Sequence, residues 1–364
     1  VAGTPRCMPH PQTTGYRAES RGGALAEAVQ KQVEPDTVDA RGRWARWVAV
    51  LDHREPATAL ALTRIGLGLV TFWSIASVWW AGLAPLLWFD VAHGGYRHYS
   101  ISGSWLVAAL GGPDPQLILA LTVVGLAGSA ALALGVWGRV SAFVALQCFL
   151  ALAWVNPHTG GSYDHLISNA LWLLVLAKSD QTLSVSARWR TGRWTDPTPV
   201  PAWPRYLMVG QLAVMYASTG FQKVSAHWLP GGDLSALYYI LQQPSWRRMN
   251  TEAAAWVYPL TQLATLTTWL FEVGGGLFVL ALYFRHTRTR PGRLRALANR
   301  VDLRSWMVGF GLLLHVGIHI SMDVGPFSAA AVSMYWCAFH PDELRALTRR
   351  VWPGRTRRAA PSRP

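Results

Sequence analysis

The sequence predicts an all-α protein, an integral membrane helical bundle of about eight transmembrane helices with both termini in the cytoplasm. Three observations point there. Of the 364 residues 51% are hydrophobic and only 14% are charged, against roughly 25% charged in an ordinary soluble domain. Twenty tryptophans cluster beside the apolar runs, as amphipathic rings do in the headgroup belts of membrane proteins. Basic residues alternate along the chain between well-supplied and nearly empty loops.

The first forty residues are polar, rich in Gly, Pro and charge, and too poor in apolar side chains to pack. They are expected to be a disordered cytoplasmic tail, with no signal-peptide pattern in them. Over residues 41–55, Trp44, Trp47, Val48 and Leu51 recur at i, i+3, i+4 and i+7, the pattern of a helix lying in the headgroup plane. Residues 56–340 read as one transmembrane domain. A spanning helix needs about 20 mostly apolar residues. Three runs meet that directly: 59–80, charged only at Arg64; 117–135, uncharged; and 256–284, charged only at Glu272. The runs 140–155, 165–177, 205–221, 305–322 and 324–339 are shorter, and each alone would also suit a buried helix. Residues 341–364 form an Arg-rich cytoplasmic tail.

Accepting all eight runs makes a charge prediction, because cytoplasmic loops carry the excess of Lys and Arg. The flank before the first run has Arg41, Arg43, Arg46 and Arg54, and the loop after it only Arg97. Arg139 follows, then a loop without bases, then Lys178, Arg188, Arg190, Arg193 and Arg205. Lys223, Arg247 and Arg248 come next, then seven arginines from Arg285 to Arg304, then a corner with Asp323 and no base. Seven more arginines follow Pro341. This assigns 24 bases to the cytoplasmic side and four to the outer side. The net charge of +14 is therefore topology, with some attraction to membrane lipids, and no nucleic acid partner is expected. The expected location is the plasma membrane, multi-pass. Cys7, Cys148 and Cys337 are far apart and form no CxxC pair, which argues against a disulfide framework and a dithiol reductase.

Ionisable groups inside a bilayer are costly and mark function by default. They are Arg64, His165, Lys223, Glu272, His315 and His319, with His158, Asp164, His227 and Asp323 just outside the runs. On the predicted topology Asp164, His165, the stretch from Lys223 to Trp228, and Asp323 converge on the outer half, so one outward-facing polar pocket centred on Lys223 is expected. Arg64 and Glu272 read as scaffold groups. His315 and His319 are four apart and share a helix face, with Glu272 as a possible partner. Three readings of the pair stay open: neutral imidazoles on backbone carbonyls, haem ligands, or ligands of a metal shared with His158 and His165. The preferred reading holds no metal.

Lys223 is the strongest catalytic candidate. Its apolar neighbours Phe221 and Val224 strip solvation from the amine, which favours the neutral form, and a neutral lysine is a general base. The alternative is a lysine that snorkels to the outer headgroups and stays charged.

The segment GFQKVSAHWLPGG, residues 220–232, resembles the Gly-x-x-Lys-x-x-x-x-Trp-x-x-Gly stretch of vitamin K-dependent gamma-carboxylases and of the wider bacterial set called horizontally transferred transmembrane (HTTM) domain proteins. GGSYDHLISN, residues 160–169, is similar to the polar loop with His that opens the fourth span. HVGIHISMDVGPFS, residues 315–328, is similar to the His-containing end of a late span. The resemblance covers roughly residues 55–340. It implies a lyase-type enzyme in which Lys223 deprotonates a reduced vitamin K or menaquinone-type quinol. Reaction with oxygen then gives a base strong enough to take the gamma proton of a peptide glutamate, and carbon dioxide traps the carbanion. It implies Asp164 and His165 at the quinone oxygens, His165 counted with Lys223 as catalytic. His227 and Trp228 of the lysine motif join the cofactor-binding set, and His315 and His319 enter as cavity wall. The implied partner is a secreted or exported peptide.

Two departures accompany the resemblance. Animal carboxylases carry a large lumenal region after the spans, whereas this chain has a short Arg-rich stretch there. Asp164 stands where they have an amide. Other HTTM proteins keep similar Lys and Trp positions without known carboxylation, so a membrane factor that matures or binds an exported peptide is the alternative, and a quinone- or haem-linked redox protein is a second.

Overall fold

A computed structural model describes residues 42, 44, 45, 47–96, 104–156, 160–248 and 255–351. The expected 1–40 tail, Arg97, His158 and the arginines after Val351 lie outside the described residues. The chain divides into two units, Val1–Asp52 and His53–Pro364. In the first, residues 47–51 are helical, the Asp52 N–H donates to the Val48 carbonyl at 2.8 Å, and Trp44, Trp47, Val48 and Leu51 are exposed.

The second unit is built of helices. They are α1 (Thr58–Trp80), α2 (Ala84–Trp88), α3 (Trp105–Ala109), α4 (Pro115–Leu134), α5 (Gly138–Ala153), α6 (Ser162–Leu176), α7 (Val185–Thr191), α8 (Trp203–Gln222), α9 (Ala236–Gln242), α10 (Tyr258–Val273), α11 (Leu277–His286), α12 (Arg293–Arg300), α13 (Leu303–Ser321), α14 (Phe327–Met334) and α15 (Pro341–Val351). Each of the eight predicted apolar runs is helical. The run 256–284 becomes α10 and α11, joined through a 3-10 turn at Gly274–Gly276, and 324–339 becomes α14 and a 3-10 turn at Tyr335–Ala338.

Four helical stretches are long and apolar enough to cross a membrane: Thr58–Trp80, Pro115–Leu134, Tyr258–His286 and Leu303–Ser321. The others are shorter or more polar. The 15 residues of α6 rise only about 22 Å, less than the roughly 30 Å of a bilayer core.

One difference from the sequence reading lies at the start of the unit. The expected 41–55 helix ends at Leu51, and Arg54–Pro56 forms strand β1, antiparallel to β2 (Pro199–Pro201) with Glu55 opposite Val200. Pro56 disfavours helical backbone at Glu55, and the strand delivers the Glu55 carboxylate to Arg205. Arg205 donates to both its oxygens, at 2.5 and 2.9 Å, and to the Cys337 carbonyl at 2.9 Å.

Helices α1, α4 and α5 pack closely. A β-carbon at Gly68 would meet the Ala133 backbone nitrogen at 2.6 Å, and one at Gly128 would meet Val144 at 2.9 Å. Small residues at helix crossings serve this purpose in membrane bundles, where lipid supplies no hydrophobic squeeze between helices. Faces of α4, α10 and α13 carry exposed Leu119, Val123, Val124, Leu263, Leu270, Leu313 and Ile320, an apolar coat unsuited to water.

Contacts sort the connections into two ends. At one end the fully buried Arg64 donates to the carbonyls of Leu132 at 2.5 Å, Ala133 at 2.8 Å, Ser179 at 3.3 Å and Leu183 at 2.6 Å, tying α1 to the end of α4 and to the loop after α6. Arg139 reaches the Leu176 carbonyl at 3.1 Å at this end. At the same end Arg304 and Arg285 hold Glu343 at the start of α15, at 2.6 and 2.7 Å. At the other end Arg248 donates to Asp323 at 3.2 Å, and the Asp323 N–H to the Trp246 carbonyl at 2.6 Å.

Glu343 makes acid sensitivity testable. Burial alone would raise its carboxyl, but hydrogen bonds from Arg304, the His340 backbone N–H and Arg285 outweigh burial and hold it at about 2, below the ordinary 4.5. A depressed carboxylate stabilises the fold at neutral pH and loses that contribution as pH falls from about 4.5 through 2. The unfolding midpoint of the detergent-solubilised protein is therefore expected to drop more steeply across that window than the midpoint of Glu343→Gln.

Candidate functional site

Lys223 follows the last residue of α8 and turns its amine onto the carboxylate of Glu272 on α10, with which it forms a hydrogen-bonded ion pair. The Trp228 ring lies 4.8 Å from the amine, close enough for a cation–π contact. The two side chains keep only 20% and 12% of their exposure. Glycines make this approach possible. A β-carbon at Gly220 would sit 2.5 Å from the Val273 nitrogen, and one at Gly275 would sit 2.7 Å from the Ala217 nitrogen. Gly220→Val is thus expected to push α8 off α10 and cost about 1–3 kcal/mol of stability, read as a lowered unfolding midpoint.

The loop after Lys223 is folded back on itself. His227 Nδ1 lies 2.7 Å from the Ser235 hydroxyl and 3.0 Å from Asp233, and its ring meets Tyr239 edge-on at 5.3 Å. Gln262 donates to the Asp233 carbonyl at 2.7 Å, and the Leu237 N–H to Thr265 Oγ1 at 3.2 Å, fastening the loop along α10. His227, expected beside a cofactor, is engaged in shaping this loop, while Trp228 packs on the lysine.

Inward of the pair is a buried polar row. Tyr216, two turns before Lys223 on α8, has its hydroxyl 2.6 Å from His315 Nε2 and 2.5 Å from the Tyr335 hydroxyl. His315 Nδ1 is 3.3 Å from the Ser328 hydroxyl. Phe271, adjacent to Glu272, packs on the Tyr216 ring at 4.9 Å. Both ring nitrogens of His315 thus have hydrogen-bond partners. Glu272, read from the sequence as a scaffold group and one candidate partner for the histidines, pairs with Lys223, and the Tyr216 hydroxyl serves His315.

A cavity of about 670 Å³ opens elsewhere, between α1, α2, the end of α5 and the α13–α14 corner. Its walls include Trp73, Trp88 and Leu152, and its polar part is Tyr163, Asp164, Arg248, His319 and Asp323. Asp164 also caps α6 by accepting the Gly161 N–H at 2.9 Å. Arg248 donates to the His319 carbonyl at 2.8 Å.

The single pocket centred on Lys223 is therefore replaced by two places. Asp164 and His319 line the cavity, whereas Lys223, His165, His227, Trp228 and His315 are not part of its lining. Neighbours on a helix point about 100° apart, so buried Asp164 faces the cavity while His165 is exposed, edge-on to Trp154 at 6.4 Å. His315 and His319 are a turn apart, yet one is sealed in the polar row and the other reaches the cavity. Sequence reasoning missed Tyr216, although it lies inside the 205–221 run, seven residues before Lys223. Tyr335 carried no local signal, because Gly311 leaves the space its hydroxyl fills.

A family model described as the HTTM domain matches residues 53–293. The chain belongs to the HTTM-domain family. No curated protein and no solved structure matches it. The HTTM match takes in α1 to α11, and with them Asp164, His165, Lys223, His227, Trp228 and Glu272. It ends before α13, so His315 and His319 lie beyond it, and it is shorter than the resemblance over 55–340. The HTTM domain and the four long apolar helices together mark a membrane protein.

Proposed function

We propose that this HTTM protein is a carboxylase-like membrane enzyme that uses a reduced naphthoquinone, oxygen and carbon dioxide to carboxylate a glutamate of an exported peptide. The observation that carries the reading is the Lys223–Glu272 pair beneath Trp228. Glu272 lies at the middle of the Tyr258–His286 stretch, where charges are expensive and are kept for function. The HTTM domain is itself found in vitamin K-dependent carboxylase-like proteins.

An amine in hydrogen-bond contact with a carboxylate can hand its proton over without moving. Transfer from Lys223 Nζ to Glu272 Oε2 leaves an uncharged amine, the form that accepts a proton. Trp228 lies against the amine, and Gly220 and Gly275 hold the two helices at the required spacing. The row Tyr216–His315–Ser328 begins beside Phe271 and ends between Pro326 and Ala329, which line the cavity.

The cavity suits a quinol. Trp73, Trp88, Leu69, Val78 and Phe149 offer apolar walls for a ring and prenyl tail, and Asp164, Tyr163 and His319 offer polar contacts for its oxygens. When bound, a quinol supplies, with oxygen, the base that removes the glutamate gamma proton. On this reading the end bearing Arg139, Arg285 and Arg304 faces the cytoplasm, because bases concentrate there, the chain crosses the membrane eight times, and the cavity, at the other end, faces outward. The test is incubation of membranes with a quinol, labelled bicarbonate and glutamate-containing peptides. Incorporation that requires Lys223 supports the reading. Its absence across a broad peptide panel, with the protein folded and membrane-inserted, overturns it.

A further inference from the structure

Helix α12 and its approach are absorbed neither by the bundle nor by the site. It lies between Tyr258–His286 and Leu303–Ser321, two of the four stretches able to cross a membrane, so a few residues separate it from the bilayer boundary at both ends. Leu294, Leu297 and Val301 are spaced i, i+3, i+7 and are 74%, 57% and 45% exposed. At 100° per residue they form one stripe, and Arg293 and Arg300 fall together along its edge. Arg288, Arg290, Arg293 and Arg300 are exposed and have no hydrogen bond or ion pair from their side chains among the described residues.

The opposite side of α12 is fastened down. Asn299 donates to the Phe284 carbonyl at 3.0 Å, and Arg295 donates to the Pro291 carbonyl at 2.7 Å with its guanidinium 5.8 Å from the Tyr283 ring and 5.6 Å from the Phe284 ring. The helix is therefore held in a fixed orientation with its apolar stripe uncovered. Exposed Trp306, at the start of α13, adds a ring suited to the headgroup layer.

We infer that α12 with Arg288 and Arg290 is an interfacial binding site for anionic phospholipid, its leucine stripe among the acyl chains and its four unpaired arginines on the phosphates. An apolar stripe edged with arginine beside a bilayer boundary matches an anionic lipid in both parts. The site is independent of the chemistry at Lys223.

The test is native mass spectrometry of the full-length detergent-purified protein titrated with phosphatidylglycerol or phosphatidylcholine. Wild type is expected to retain phosphatidylglycerol preferentially. Arg288→Gln/Arg290→Gln/Arg293→Gln/Arg300→Gln is expected to lose that preference by at least tenfold, each arginine near the surface being worth about a fivefold factor. The corresponding fourfold Arg→Lys variant is expected to keep most of it, which separates lost charge from lost folding. Equal retention of the two lipids by wild type overturns the inference, as does undiminished preference in the glutamine variant. Tighter capture of a DNA oligonucleotide than of phosphatidylglycerol also overturns it.

Discussion

Arginine in place of Lys223 is expected to abolish bicarbonate incorporation as completely as alanine does. The substitution keeps what a charge alone would need: a guanidinium can still pair with Glu272 and still lie against Trp228. It removes the ability to give up a proton, because guanidinium stays protonated at any working pH. Losing a general base costs about 100- to 10,000-fold in rate, so both variants are expected near background. The rate of label incorporation, measured beside the unfolding midpoint, separates the two roles. An arginine variant that keeps its activity would assign Lys223 to charge pairing and remove it as the base. Glu272→Gln completes the test, since an amide cannot take the lysine's proton.

Arg64→Leu is expected to give the largest loss of stability in the molecule, on the order of 3–5 kcal/mol. Four carbonyls from three stretches, Leu132–Ala133, Ser179 and Leu183, converge on one buried guanidinium. A leucine removes every one of these donors: the Leu132 carbonyl keeps the Gly135 N–H at 3.0 Å, while those of Ala133, Ser179 and Leu183 face an apolar neighbour. Arg64→Lys should rescue little, because an ammonium cannot reach carbonyls spread around a planar fork. The unfolding midpoint in detergent reads both variants. A midpoint close to wild type in Arg64→Leu would mean that the loop after α6 is held by other contacts.

Arg64 and Lys223 illustrate what was legible in the chain. Arg64 is a lone charge in an apolar run, and that alone predicts a buried group with partners. Its partners are backbone carbonyls 68 to 119 residues away, which no local pattern encodes. Lys223 stands out through its motif and its apolar neighbours. Glu272 was visible as the single charge of its run, and only helix packing at Gly220 and Gly275 assigns it to the lysine in preference to His315 or His319.

The sequence by itself determined that the chain is helical, that it has apolar stretches of membrane length, and that its bases gather in alternate loops. Those properties follow from composition and from the 3.6-residue period, which act within a few turns of chain. Only the tertiary structure decided that Asp164 and His165 part ways, that His315 is sealed by two tyrosines, and that the expected single pocket is a cavity and a separate ion pair. Which face of each helix meets which neighbour depends on close approaches between residues far apart in the chain, and such packing leaves no periodic trace in the order of the amino acids.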